Sequence, residues 1–139
     1  MSIQIRYATE ADGPALGQIN IDSFKHQRYW GNVFPGLDDA AIHPVKHFRS
    51  LEKMADPTVH VLSAVDTAAG DQVVGYARWT IPGESNPNVV ALSEEAKKTT
   101  ADMSSVMPAG MSMPIYRDFF TKMKKYRGEY VKEDDMSMA

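Results

Sequence analysis

Three side chains suited to proton transfer stand in the segment between residues 58 and 81, namely His60, Tyr76 and Arg78. An imidazole with an ordinary pKa of about 6.5 can act as acid or base near neutrality, and a neighbouring guanidinium can hold an anion or oxyanion. Because we expect these residues to share one face of a hairpin, they are the candidate catalytic residues. In the structural alternative, the three side chains hydrogen-bond one another or water on a half-exposed sheet.

A second group of residues suits ligand binding. The segment around residues 26–34 combines two adjacent aromatic residues with basic ones, and loops on rigid scaffolds often hold binding residues. We therefore predict that this segment and the end of the hairpin form the substrate-binding wall, comprising His26, Arg28, Tyr29, Trp30, Phe34 and Trp79. In the alternative, Trp30 and Phe34 fill the core beneath the loop.

A metal site is not expected. His43 and His47 stand four residues apart, as zinc-binding histidines do on a helix, but the sequence between them lacks the glutamate of an HExxH motif. The chain has no cysteine, which excludes disulfides, thiolate metal sites and a cysteine nucleophile. We interpret both histidines as surface residues.

The elements that must position these groups follow from hydrophobic periodicity and turn residues. The alternation from Ile3 to Tyr7 predicts a first strand. A helix capped by Asp12 and ending near Lys25 follows, then an irregular loop over 26–36, and a second helix from about His43 to the Asp56–Pro57 pair. Thr58–Asp66 and Gln72–Ile81 have the pattern of a hairpin, with Val65 near Val73 and His60 near Arg78.

The C-terminal part of the chain has a different character. Residues 82–114 carry prolines, glycines and four methionines, which indicates a flexible Met-rich connection that includes a short helix capped by Ser93. A last helix begins at Pro114, with Ile115, Phe119, Met123 and Tyr126 on its apolar side. We expect the basic residues of this helix to form a solvated face, which comprises Lys122, Lys124, Lys125 and Arg127. The charged tail after Val131 is expected to fray unless it folds back against the hairpin.

The order of these elements resembles a known superfamily. A strand running into a helix over residues 3–12, the sequence of 19–24 and the hairpin ending at 73–79 together resemble the N-terminal part of the GNAT N-acetyltransferases, especially fungal members. The resemblance implies an α+β, α/β-like fold with an antiparallel three-stranded sheet flanked by helices, in one domain over residues 1–139. It also implies that the acceptor substrate lies beside the segment around Tyr29, Trp30, Phe34 and Trp79.

The resemblance does not extend to the coenzyme site. The family cradles the pyrophosphate of acetyl-CoA in a Gln/Arg-x-x-Gly-x-Gly/Ala loop at a helix N-terminus, and no Gly-x-Gly occurs in this chain. The chain ends where the resemblance places the fourth strand, so we expect the coenzyme-binding half to be missing. Acetyl-CoA is expected as a cofactor only if the chain is incomplete; otherwise we expect none.

Composition excludes several partners. The net charge is −3 and no basic stripe is interleaved with aromatic residues, so nucleic acid is not expected. No apolar run reaches the roughly 18 residues of a membrane span, and the N-terminus lacks an apolar signal region, so we expect no membrane association and a cytoplasmic location.

Three functions remain open from the sequence. The first is a small-molecule-binding GNAT-like protein, either a binding protein alone or a repurposed acid/base enzyme of secondary metabolism that works without acetyl-CoA. The second is an acetyl-CoA-dependent N-acetyltransferase represented by an incomplete chain. The third is a dimerising interaction module, because a hairpin edge that lacks its fourth strand leaves backbone groups unpaired and favours a homodimer.

Overall fold

A computed structural model describes residues 1–132 and 137–138. Its elements are β1 (Ile3–Tyr7), α1 (Gly13–Phe24), α2 (Arg28–Val33), α3 (Asp39–Met54), β2 (His60–Asp66), β3 (Gln72–Thr80), α4 (Glu94–Ala101), α5 (Met113–Tyr130) and the two-residue β4 (Ser137–Met138). The strands form one antiparallel sheet in the order β1-β2-β3-β4. The predicted α+β fold, a three-stranded antiparallel sheet flanked by helices, is confirmed, with β4 as a short addition.

Two helix predictions need correction. The predicted loop over 26–36 contains α2, a helix of six residues whose Trp30 and Val33 are buried. The second helix begins at Asp39 instead of His43, because the Asp38 carboxylate accepts a hydrogen bond from the Ala41 N–H (2.9 Å) and caps it there. Short helices and cap positions depend on tertiary contacts that periodicity does not contain.

Helices α1 and α3 pack against each other at very close range. A Cβ added at Gly17 would lie 2.9 Å from the backbone nitrogen of His47, and one at Gly13 would lie 2.8 Å from His47 and Leu51 side-chain atoms. Only glycine permits this approach, and it brings α3 over the sheet so that Leu16, Leu51 and Met54 fill one core cluster.

Asp12 holds β1, β2 and the start of α1 together. Its buried carboxylate binds the Arg6 guanidinium (2.6 and 3.0 Å) and accepts hydrogen bonds from the Thr9 N–H and the Ser63 hydroxyl (3.0 Å each). Burial alone would raise the pKa of Asp12, but these hydrogen bonds outweigh it and lower the pKa. The predicted side-chain cap of α1 is therefore wrong: Asp12 occupies the position before the helix but turns its carboxylate to Arg6.

The segment 82–114 is anchored to the rest of the fold. Ser93 caps α4 as predicted and also binds the Glu10 carboxylate, while Met111 is buried beside Trp30 in a second core cluster. The chain after α5 returns to the sheet, where β4 pairs with Trp79 and Thr80. Along residues 72–78, β3 has no second partner strand among the described residues.

Candidate functional site

The hairpin does not bring the three candidate catalytic residues together. Val65 pairs with Val73 as predicted, but a bulge between Ala64 and Val65 shifts the rest of the register by one residue. His60 consequently pairs with Trp79, and the predicted pairing with Arg78 is wrong. Because a one-residue shift moves side chains to the opposite sheet face, His60 lies on the outer face while Tyr76 and Arg78 lie on the face covered by helices.

His60 is enclosed on the outer face. The side chain is buried, and its Nδ1 lies 3.0 Å from the Tyr7 hydroxyl. Its Nε2 has no hydrogen-bond partner within the described chain. His60 therefore contacts Tyr7, pairs with Trp79 across the hairpin and is separated from Arg78 by the sheet.

The predicted binding residues also separate. His26 and Arg28 are exposed. Trp30 and Phe34 are buried in the second core cluster with their rings 4.9 Å apart, as in the structural alternative, whereas Tyr29 packs on Phe119 of α5 with ring centroids 4.1 Å apart. Trp79 lies on the outer sheet face with His60. The predicted wall is thus divided between the second core cluster, the surface, the contact with α5 and the outer sheet face.

Arg78 opens instead into a cavity of about 780 Å³ between α3, α5 and β3. Helix α3 contributes Lys46, Arg49 and Lys53 on one of its sides, at spacings of three and four residues. Helix α5 contributes the opposite wall, which is largely aromatic and comprises Tyr116, Phe119, Phe120, Met123, Tyr126 and Tyr130. Volume and lining are typical of a small-molecule site, where apolar walls surround a few polar groups.

The cavity is strongly basic. It is lined by six basic residues and, among the described residues, by no aspartate or glutamate; the basic residues are Lys46, Arg49, Lys53, Arg78, Lys124 and Arg127. Arg49 is partly neutralised, since it binds Glu52 (3.0 Å) and donates to the Tyr116 hydroxyl (2.6 Å). Lys46 and Arg78 make no ion pair with any described residue.

Among the basic residues of the cavity, Lys46 has the pKa that is shifted furthest from its ordinary value. Its ammonium lies 4.6 Å from the centre of the Trp30 ring and 5.6 Å from that of Phe34. Burial lowers the pKa of Lys46 to about 8, and repulsion by Arg49 and Arg78 adds to the effect. The cation–π contacts give it partial stabilisation, but no carboxylate of the described chain compensates its charge.

Arg78 lines the cavity from the sheet, and Tyr76 lies beside it on the same face. The Arg78 guanidinium lies 5.6 Å from the centre of the Tyr76 ring. The Asn20 amide donates to the Tyr76 hydroxyl (2.9 Å), while the buried Asn20 Oδ1, in a residue that lines the cavity, has no hydrogen-bond partner within the described chain. Of the three candidate catalytic residues, Arg78 lines the cavity, Tyr76 contacts it through Asn20 and Arg78, and His60 lies apart from it.

No metal centre accompanies the cavity. Within the described residues, no group of three or more His, Asp or Glu side chains is arranged to hold a metal ion. His43 and His47 have rings 6.0 Å apart, but the His43 Nε2 donates to the Pro14 carbonyl (2.8 Å) and so connects α3 to α1.

Sequence reasoning missed Lys46, Arg49 and the aromatic wall of α5. A signal was present: Lys46, Arg49 and Lys53 recur on one helical side, and aromatic residues recur along α5 from Tyr116 to Tyr130. Only Lys124 and Arg127 of the predicted solvated basic face line the cavity, whereas Lys122 forms an ion pair with Asp118 (2.8 Å).

Comparisons of the chain with protein-family models, with curated proteins and with solved structures give no significant match. The GNAT resemblance therefore stays a prediction. Among the described residues, none of the helices has both the length and the apolar character needed to cross a membrane.

Proposed function

We propose that this protein binds a small organic anion with an aromatic or apolar body in the cavity between α3, α5 and β3. The observation that carries the proposal is Lys46, a half-buried cation that lies over the Trp30 ring and forms an ion pair with no carboxylate of the described residues. This is the small-molecule-binding function expected from the sequence, with the ligand class added, and its GNAT-like lineage remains part of the proposal.

Partial removal of the Lys46 ammonium from water favours the binding of an anion. A buried ammonium without a partner is unfavourable, and Arg49 and Arg78 add repulsion. A carboxylate, sulfonate or phosphate group that entered the cavity would neutralise this charge, and a charge-assisted hydrogen bond contributes about 1.5–3 kcal/mol. Arg78 offers a planar donor pair beside Lys46, which suits an anion with two oxygens.

The apolar body of the ligand would lie against α5. Phe119 is half-buried against Tyr29, and Phe120 packs edge-on to Tyr116 with centroids 4.7 Å apart, while 45% of Phe120 remains exposed. Exposed aromatic surface beside a cationic group is typical of sites that take amphiphilic anions.

A matched pair of fluorescent probes tests the proposal. 8-Anilinonaphthalene-1-sulfonate carries an anion on an aromatic body, and N-phenyl-1-naphthylamine has the same body without the charge. We expect the sulfonate to bind the folded protein more tightly, and Lys46→Met and Arg78→Met each to weaken it by about tenfold or more, as the loss of one charge-assisted contact requires.

Two controls distinguish the loss of a cavity charge from a general effect of substitution on the folded protein. Lys97→Met removes a cation that is exposed and paired with Glu94 on α4, outside the cavity, and should leave both affinities unchanged. The uncharged probe should bind the Lys46 and Arg78 variants as it binds the parent protein. Equal affinity for the two probes, or the same loss in the Lys97 variant, would refute the proposal.

The other functions expected from the sequence have less support. The proposed acid/base enzyme has less support because His60 lies on the opposite face of the sheet from Tyr76 and Arg78. The homodimer remains a prediction: among the described residues β4 pairs with Trp79 and Thr80 alone, so residues 72–78 of β3 offer an edge at which a second copy could pair, and light scattering would measure it. The cytoplasmic location likewise remains a prediction.

A further inference from the structure

Lys46 has the surroundings of a nucleophilic amine as well as those of an anion anchor. Lysine becomes nucleophilic near neutrality when it is desolvated in an apolar site or placed beside another cation. Lys46 meets both conditions, since it lies over Trp30 at 4.6 Å and shares the cavity with Arg49 and Arg78.

We infer that Lys46 captures an aromatic oxo acid as a covalent imine, with Arg78 holding the carboxylate of the same ligand. The inference rests on the proposed anion binding and adds the reaction and the ligand class. A ligand with one carboxylate and one carbonyl matches a site in which neither Arg78 nor Lys46 forms an ion pair with a described residue.

The chemistry balances without a further reactant. The lone pair of the neutral Lys46 amine attacks the carbonyl carbon, and the carbonyl π electrons move to its oxygen. A proton passes from nitrogen to that oxygen through solvent in the open cavity. Loss of water then forms the C=N bond, so that amine and carbonyl compound give imine and water.

Arg49 and Arg78 repel the charge of Lys46 and favour its neutral amine, whereas the Trp30 and Phe34 rings favour the ammonium. Among the described residues, the titratable side chains that line its cavity are all basic or phenolic: Arg49 and Lys53 from α3, Arg78 from β3, and Tyr116, Lys124, Tyr126, Arg127 and Tyr130 from α5. From α1 the cavity receives the amide of Asn20, and the packing partner in α2 is the indole of Trp30. No carboxylate of the described chain lines the cavity to restore the ordinary basicity of Lys46.

The population of reactive amine follows from the lowered pKa. With a pKa of about 8, about a fifth of Lys46 is neutral near pH 7.4, compared with about one in a thousand for an exposed lysine of ordinary pKa. Lys46 should therefore react at least tens of times faster than the other lysines of the chain.

Reductive trapping tests the inference. The protein is incubated with 4-carboxybenzaldehyde and sodium cyanoborohydride, which reduces an imine to a stable secondary amine, and the labelled residues are located by peptide mass mapping. We expect Lys46 to carry the carboxybenzyl group first, with a rate that rises with pH around a midpoint of about 8. The Met1 amino group, an exposed primary amine outside the cavity, provides an internal reference.

Three comparisons make the result specific. Benzaldehyde lacks the carboxylate and should label Lys46 more slowly than the acid does, whereas Met1 should show no such preference. Lys46→Arg keeps the charge but cannot form an imine, so it should abolish labelling of residue 46 and retain sulfonate-probe binding. Lys97→Arg, on α4 outside the cavity, should leave labelling of Lys46 intact.

The outcomes distinguish this inference from the proposed function. If the sulfonate probe binds as expected but label spreads over the exposed lysines, the imine inference is overturned and anion binding stands. If Lys46 is labelled first without preference for the acid, and the sulfonate probe does not bind, Lys46 is reactive but anion recognition is wrong. Failure of both measurements overturns both.

Discussion

Replacing Lys46 by methionine should stabilise the protein at neutral pH. The folded chain keeps Lys46 protonated in an apolar cavity, where its pKa falls from 10.5 to about 8. Below about pH 8 both the folded and the unfolded chain bind the proton, so the folded state carries the full cost of the desolvated charge. Between about pH 8 and 10.5 the folded chain releases the proton first, and the cost disappears.

The size of the effect follows from the same values. A fall in pKa from 10.5 to about 8 corresponds to about 3 kcal/mol, because a tenfold change in proton affinity is worth about 1.4 kcal/mol. Methionine retains the apolar contacts of the lysine stem but loses the cation–π contact with Trp30, which is worth about 1 kcal/mol. The net gain is about 2 kcal/mol in the free energy of unfolding at pH 7, or about 8 °C in Tm.

Urea unfolding at pH 7 and at about pH 10 measures this gain. We expect the Lys46→Met variant to be more stable than the parent protein at pH 7, and the difference to shrink or reverse at the higher pH. Lys97→Met serves as the control and should change stability by less than about 0.5 kcal/mol, since its ion pair is exposed. A Lys46 variant that is destabilised at pH 7, or a difference independent of pH, would show that Lys46 is not desolvated.

Three further results are expected. Gly17→Ala should lower the free energy of unfolding by about 1–3 kcal/mol, because its Cβ would meet the His47 backbone at 2.9 Å, whereas Gly31→Ala, with open space around it, should be neutral or stabilising in thermal unfolding. Asp12→Asn should cost about 1–3 kcal/mol at pH 7, because the half-exposed Arg6 guanidinium loses its carboxylate partner. Because the pKa of Asp12 is lowered in the folded chain, that difference should diminish as the pH falls through it, which acid unfolding curves would reveal. Acetyl-CoA should give no micromolar binding in calorimetry, since no Gly-x-Gly loop is present to cradle its pyrophosphate.

The sequence predicted the long elements well because their periodicity is strong. Strand β1, the hairpin strands and helices α1, α3 and α5 all follow from alternating or helical patterns of apolar residues. Helix α2 was missed because six residues give too short a pattern, and its stability comes from burying Trp30 and Val33.

The candidate site could be predicted only in part, for two physical reasons. The bulge beside Ala64 reverses the faces of one half of the hairpin, and the only local indication is the doublet Val73–Val74 before Gly75, where strict alternation fails. The second reason is that the cavity lies between helices distant in the chain. The approach of α5 to Lys46 depends on how Tyr116 docks on Arg49, which no local pattern encodes.

The unequal packing of the two cavity walls has a consequence for how this protein can evolve. Helix α3 is held against α1 at Gly17, where even one added methyl group meets backbone, so the wall that carries Lys46 tolerates almost no change. The second half of α5, residues 121–130, is exposed along its whole length and can accept substitutions without disturbing the core. Selection can therefore alter the shape and preference of the aromatic wall while the cationic wall stays fixed, which lets one scaffold diversify its ligands without rebuilding its fold.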